Sequence, residues 1–230
     1  IVGRQKNNTY TLYGQNYSIG LHGIMDELRT EILENTGDSV AFLTVPTERS
    51  KDAYPFDFRM VSRFQLKNHT LSVRRIIENR SDVPMPFCIG EHPGFSCNDH
   101  ENAVLRFSGE EETTRAYLDS GHYIGREERI SLRELPVSDK TFSQGAVIFR
   151  TWESDRISLI ENGEETLRVY REEYPAIALW RKPGAPFICV EPLHGFDSDV
   201  NDGDDFLKKR NLIILEPGES RDFSYRIEIQ

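Results

Sequence analysis

The chain has 230 residues, a formal net charge of −10 and a sequence pI near 5.2. No cluster of Lys and Arg offsets that charge, which excludes a nucleic-acid partner, because phosphate binding needs a basic face. Nothing approaches the run of roughly 18 apolar residues that a membrane helix requires, so no membrane is expected as a partner either. Three cysteines, Cys88, Cys97 and Cys189, are an odd and sparse set. They argue for a reducing, cytoplasmic setting rather than a disulfide framework. No two of them stand at zinc-site spacing, so no metal is expected.

The chain opens on Ile1-Val-Gly-Arg4, with neither a start methionine nor the charged-then-apolar pattern of a signal peptide. Residues 9–21 alternate in short bursts around Tyr13-Gly-Gln-Asn16, which reads as a hairpin turn. Ile24, Met25, Leu28, Ile32 and Leu33 fall at helical spacing, so a short helix competes with a loop and strand here. Val40-Ala-Phe-Leu-Thr-Val45 reads as a strand, and Pro55-Phe-Asp-Phe58 opens the next. Phe58, Met60, Ser62, Phe64 and Leu66 take one face of a long alternating strand. Lys67-Asn-His69 turns it, and Leu71, Val73, Arg75 and Ile77 return, giving a long hairpin with one apolar face.

Residues 109–143 are polar and acidic and read as a rim of loops and short strands carrying Tyr117 and Tyr123. Ala146-Val-Ile-Phe149, Ile157-Ser-Leu-Ile160 and Thr166-Leu-Arg-Val-Tyr170 read as strands. The segment Asp197-Ser-Asp-Val-Asn-Asp-Gly-Asp-Asp205 reads as a solvated acidic loop, since it lacks the closing Glu of a calcium loop. Asp205–Arg210 reads as a helical turn. Leu212-Ile-Ile-Leu215, Pro217-Gly218 and alternating Phe223, Tyr225, Ile227 and Ile229 read as a closing hairpin. Many short strands and no long helix predict an all-β fold, an antiparallel β-sandwich. Residues 1–230 are expected to form one domain, with a core large enough to need no staples.

Two stretches concentrate chemistry. Phe187-Ile-Cys-Val190 is an apolar run that delivers a carboxylate, Glu191, and meets Pro192. Proline cannot donate to a ladder, so the chain is expected to leave the sheet there. Upstream, Pro86-Phe-Cys-Ile89 runs into Gly90-Glu-His-Pro-Gly-Phe95. One His and one Glu thus stand at the ends of apolar runs, each followed by Pro. Acid–base chemistry near neutral pH uses that pair of residue types, although a capping Glu and a turn His would give the same letters.

The stretch Trp180-Arg-Lys-Pro-Gly-Ala-Pro-Phe-Ile-Cys-Val-Glu-Pro-Leu-His-Gly resembles the W-x-x-P-G-A-P-F-x-C-x-E-P-x-x-G segment of the aldose 1-epimerase (galactose mutarotase-like) family. Gly90-Glu-His-Pro-Gly-Phe95 is similar to its G-x-H-P-x-F segment, and Gly3-Arg4 and His22-Gly23 to its G-R and H-G-F-A-R segments. The resemblance runs in order from residue 1 to the Pro217-Gly-Glu turn, and it implies a galactose mutarotase-like supersandwich that begins after the family's opening strands. It also implies an isomerase that interconverts the α and β anomers of a hexose or related sugar by acid–base ring opening, with no cofactor.

By that resemblance Glu191 is the base and His92 the acid, His22 and Arg4 hold sugar oxygens, and Trp180 or Phe95 offers an apolar wall. The expected partner is a small sugar, free or phosphorylated, with Arg181-Lys182 either near a phosphate or in a solvated turn. The oligomeric state is not specified by these residues. Two departures stand out: Asp26 replaces the Arg of H-G-F-A-R, and Gly145 replaces an Asp, with Asp139 the nearest acid. Glu91 beside His92 is a further oddity. These departures keep open a second reading, a non-catalytic carbohydrate-binding or regulatory module on the same fold.

Overall fold

The computed structural model describes residues 2–119 and 123–230. The chain divides into two compact units. The first holds the chain through Lys67, Ser72–Ile89 and His194–Ser224; the second holds Asn68–Leu71, Gly90–Leu193 and Tyr225–Gln230. No helix of the described residues is long and apolar enough to cross a membrane.

The first unit begins with a hairpin, β1 (Thr9–Leu12) and β2 (Gln15–Ser18), turned where Tyr13 and Gly14 take φ of 50° and 78°. Next come β3 (Arg29–Asn35), β4 (Ser39–Val45), helix α1 (Glu48–Ala53), β5 (Phe58–Lys67) and β6 (Thr70–Asn79). Strands β3 to β6 lie side by side in chain order. The helical spacing of residues 24–33 resolves as one 3-10 turn, Met25–Glu27, followed by β3. Every β3 residue is exposed, with Ile32 at 61% and Leu33 at 45%. No buried stripe enforces a helix there, so the spacing had nothing to act on.

Helix α1 carries no signal strong enough to be read in advance. It is started by a reciprocal cap in which Thr47 Oγ1 accepts the Ser50 N–H and Ser50 Oγ accepts the Thr47 N–H.

The remaining strands are β7 (Met85–Phe87), β8 (Ile89–Gly90), β9 (Gly94–Ser96), β10 (Val104–Asp119), β11 (Tyr123–Pro136), β12 (Val147–Phe149), β13 (Arg156–Glu161), β14 (Glu164–Arg171), β15 (Ala176–Trp180), β16 (Phe187–His194), β17 (Ile213–Leu215) and β18 (Ser220–Ile229). The closing hairpin expected of β17 and β18 does not form. Strand β17 pairs with β7, Ile214 opposite Pro86. Asn79 explains the departure. Its Nδ2 donates to Leu215 O at 2.9 Å and to Val83 O at 2.8 Å, and its own carbonyl accepts the Gly218 N–H at 3.0 Å. The Pro217-Gly218 turn is thereby anchored to the end of β6.

In the second unit the order is β18-β14-β13-β10-β12-β15-β16, with β11 along β10 and β9 along β16. Within residues 109–143 the described residues up to Pro136 are therefore not loops and short strands but the long antiparallel pair β10 and β11, while residues 137–143 form turns as expected. Apolar alternation misses β10 and β11 because charged and polar residues fill much of both strands, some of them in cross-strand charge pairs: Arg115 faces Glu128, and Arg106 Nε meets Glu134 at 2.6 Å. The strand irregularity between Arg106 and Glu111 turns buried Glu111 onto the Glu153 and Ser154 N–H groups at 2.7 and 2.9 Å.

Strands β12, β13, β15 and β16 are buried along most of their length, which is why they read as continuous apolar runs. Contrary to expectation, β16 does not stop at Pro192, which stays in register opposite Ile177. Proline removes one donor only. Its carbonyl still accepts the Glu91 N–H at 2.9 Å, so the strand continues to His194.

Arg181 is also not in a solvated turn. It is fully buried, ion-paired to Asp139, and donates to Ala185 O at 2.6 Å. Asp139 in turn accepts the Gly184 N–H at 3.2 Å. One guanidinium thus shapes the link between β15 and β16, which carry the residues of the candidate site. Arg181→Ala is expected to lower the unfolding free energy by about 3 kcal/mol, the low end for breaking a buried pair because Asp139 is partly exposed. Urea denaturation checks this, and an unchanged midpoint would show that the link holds its shape without Arg181.

Candidate active site

Strand β16 sets the geometry. Ladder pairing with β15 puts Ala178 opposite Glu191 and Trp180 opposite Cys189. Side chains alternate along a strand, so Cys189 and Glu191, two residues apart, project from the same face. The other edge of β16 is met by β9, Gly94 opposite Cys189. Two more backbone bonds bracket His92: Glu91 N–H to Pro192 O at 2.9 Å, and Val190 N–H to Pro93 O at 3.2 Å. The Gly90–Gly94 link is therefore fastened to β16 on both sides of the histidine.

The result is a contact of 3.3 Å between His92 Nε2 and Glu191 Oε1. The two differ in depth: the Glu191 side chain is 10% exposed and that of His92 46%. A carboxylate sunk in the wall faces an imidazole at the mouth. Trp180, half-buried, stands edge-on to the His92 ring at 5.9 Å and 74°, and packs against Phe187 at 5.7 Å. It is therefore neither wholly core nor wholly exposed. Phe95 is half-buried on β9, opposite Ile188.

Sequence spacing gave no hint of a third member. Cys189 Sγ, a His92 ring nitrogen and a Glu191 oxygen all lie within 4.8 Å of one another. The thiol is pushed up to about 12, by burial first and by the Glu191 charge second, so it is a neutral S–H near pH 7. The oddity of Glu91 also resolves. It does not face solvent; it is buried, and Glu91 Oε1 accepts the hydroxyl of fully buried Tyr174 at 3.0 Å.

Arg4 and His22 come together in the first unit, around Gly3. His22 N–H donates to Gly3 O at 2.9 Å, and Arg4 N–H donates to Asp197 Oδ1 at 2.8 Å. Gly3 has a φ of +68°, and a Cβ there would fall 2.4 Å from Asp197 Cγ, so both the turn and the close approach require glycine. The Arg4 guanidinium donates to Asn8 Oδ1 at 2.9 Å, and His22 is exposed.

Asp197, expected in a solvated loop, is instead drawn into this cluster. Burial raises its carboxyl above the usual range, while the Arg4 N–H and Lys209 pull it back down. Nothing in its run of acidic neighbours distinguishes it in sequence. Asp26, in place of the resemblance's Arg, is exposed on the 3-10 turn. Gly145, in place of its Asp, has a φ of +97°, and Asp139 is engaged by Arg181.

Comparison with known proteins agrees with this architecture. A family model described as aldose 1-epimerase matches residues 2–228. The plasmid-borne protein LacX of Lactococcus lactis subsp. lactis is 24% identical over 222 residues, covering 90% of this chain and 74% of LacX. A galactose mutarotase related enzyme from Lactobacillus acidophilus superposes with a TM-score of 0.94 at 24% identity, over 100% of this chain and 80% of its own. A galactose mutarotase-like protein from Lactobacillus casei gives 0.90 at 20% identity, over 100% of this chain and 82% of its own. At these identities the structural likeness establishes the fold, that of the galactose mutarotase-like β proteins, as the sequence resemblance implied.

Tyr174→Phe is expected to destabilise the protein by about 2 kcal/mol, the range for a hydrogen bond to a charged group. The Glu91 carboxylate would stay buried with one donor fewer. Equal unfolding midpoints for the two proteins would show that this bond contributes nothing to holding the His92 link.

Proposed function

The chain belongs to the aldose 1-epimerase family, and on that premise we propose that it is a mutarotase acting on a hexose or a close relative. The observation that carries this reading is the 3.3 Å contact between His92 Nε2 and Glu191 Oε1. The reaction asks for such a pair. The anomeric hydroxyl and the ring oxygen share one carbon, so a base on the first and an acid on the second must stand close together.

Glu191 takes the proton from the anomeric hydroxyl while His92, in its protonated form, gives one to the ring oxygen. The bond between C1 and the ring oxygen breaks, and its electron pair stays on that oxygen. The anomeric oxygen becomes the aldehyde oxygen. Rotation about the C1–C2 bond exposes the other carbonyl face; as the ring closes, His92 takes its proton back from the C5 hydroxyl and Glu191 returns the other to the anomeric oxygen. Only protons move, which is why no redox or group-transfer partner is called for.

The difference in depth supports the division of labour. Glu191, the deeper of the two, meets a sugar hydroxyl with less competition from water. His92, half in solvent, stands at the mouth where the ring oxygen of an entering sugar can reach it. Trp180 offers an apolar edge to the C–H face of a sugar. In the second unit the Gly145 backbone supplies no Asp side chain to a sugar oxygen. Each hydrogen bond missing from a neutral sugar costs about 0.5–1.5 kcal/mol, so weak binding of plain galactose, or a preference for another sugar, is expected.

Polarimetry of α-glucose and α-galactose tests the proposal. Glu191→Gln and His92→Asn keep polarity and approximate size but remove proton transfer. Each is expected to lower turnover by at least about 100-fold, the lower range for one general acid or base, with little change in sugar affinity. A protein that binds sugar yet never exceeds the spontaneous and buffer-catalysed rate would instead be a non-catalytic sugar-binding module.

A further inference from the structure

We propose that His92, Cys189 and Glu191 form a binding site for a thiophilic divalent cation of the Zn2+ type, and that the bound ion shuts down the acid–base pair. Only the second half rests on the mutarotase reading; the binding itself does not.

The three side chains offer a ring nitrogen, a sulfur and a carboxylate oxygen, all within 4.8 Å of one another. Two ligands about 2.1 Å from a tetrahedral ion stand about 3.4 Å apart. The distance from His92 Nε2 to Glu191 Oε1 is 3.3 Å before any ion enters. Cys189 and Glu191 lie on one buried strand, so two ligands are held rigidly, while His92 at the mouth gives an entry path. A sulfur and an imidazole select Zn2+ or Cu2+ over Mg2+ and Ca2+. Three protein ligands leave a fourth position for water.

Coordination requires the Cys189 S–H bond to break: a metal–sulfur bond forms and the proton passes to buffer. The burial that favours the neutral thiol is reversed by a divalent charge at bonding distance. The Glu191 oxygen and the His92 nitrogen that would move protons are then occupied by the ion. A second group, His100, Glu101 and Asp139, also has ligand atoms within this range among the described residues. It lacks sulfur, and Asp139 is held by Arg181 and by the Gly184 N–H.

The test is titration of metal-free protein with Co2+, a spectroscopic substitute for Zn2+, followed in the near ultraviolet for thiolate-to-cobalt charge transfer. The expected result is a band that saturates at one equivalent, is displaced by Zn2+ and is absent in Cys189→Ser. His92→Asn, altered at an exposed side chain, should keep the fold and weaken Co2+ binding by at least about 10-fold, the least that even outer-shell changes cost. Zn2+ should stop mutarotation in step with occupancy, and a chelator should restore it.

Absence of the band, or a band that survives Cys189→Ser and so comes from another cysteine, would overturn the proposal. So would mutarotation that persists once Zn2+ has displaced the band completely. A band in a protein without mutarotase activity would leave the ion site standing and remove the proposed function. Mutarotation with no ion binding would do the reverse.

Discussion

Strand β16 is hydrogen-bonded along both edges, and that constraint sets where Glu191 meets His92. On one side β15 holds it in register from Ala176 to Trp180. On the other, β9 and the backbone bonds of Glu91 and Val190 fasten the link that carries His92. A carboxylate set into such a strand loses much of its hydration, which is costly without a partner. The imidazole at 3.3 Å is that partner. Loosen the β9 edge and the link that holds His92 against Glu191 goes with it.

Buried polar groups around this strand act as fasteners rather than as chemistry. Arg181 shapes the β15–β16 link, Glu91 is tied to Tyr174, and Glu111 gathers two backbone N–H groups. Each satisfies a partner that would otherwise be costly to bury. Each also fixes a turn that apolar packing alone leaves free. The first unit repeats the device on a smaller scale, with Gly3 letting Asp197 reach the Arg4 backbone beside His22.

What could be read from sequence, and what could not, follows from these forces. That Glu191 and His92 belong together, a pairing that the 3.3 Å contact matches, could be read because a charged residue at the end of an apolar run is unusual, and because the surrounding motif is distinctive. The short apolar strands were legible because two buried faces leave an unbroken hydrophobic run. The β10–β11 pair was not, since charged and polar residues break the apolar pattern along both strands. Pro192 misled because the loss of one donor was read as the loss of the strand. Cys189 was missed for a different reason: its neighbours come from two segments nearly a hundred residues apart, and spacing rules see only local ligands. Arg181 was misplaced because composition cannot tell a turn arginine in solvent from one that bonds its own turn.

The most direct measurement is a crystal structure of Glu191→Gln with a hexose bound. The account predicts the anomeric oxygen within about 2.6–3.2 Å of the side chain at position 191, and the ring oxygen within the same reach of His92 Nε2. A sugar seated elsewhere, or held here with its anomeric carbon turned away from both groups, would contradict it.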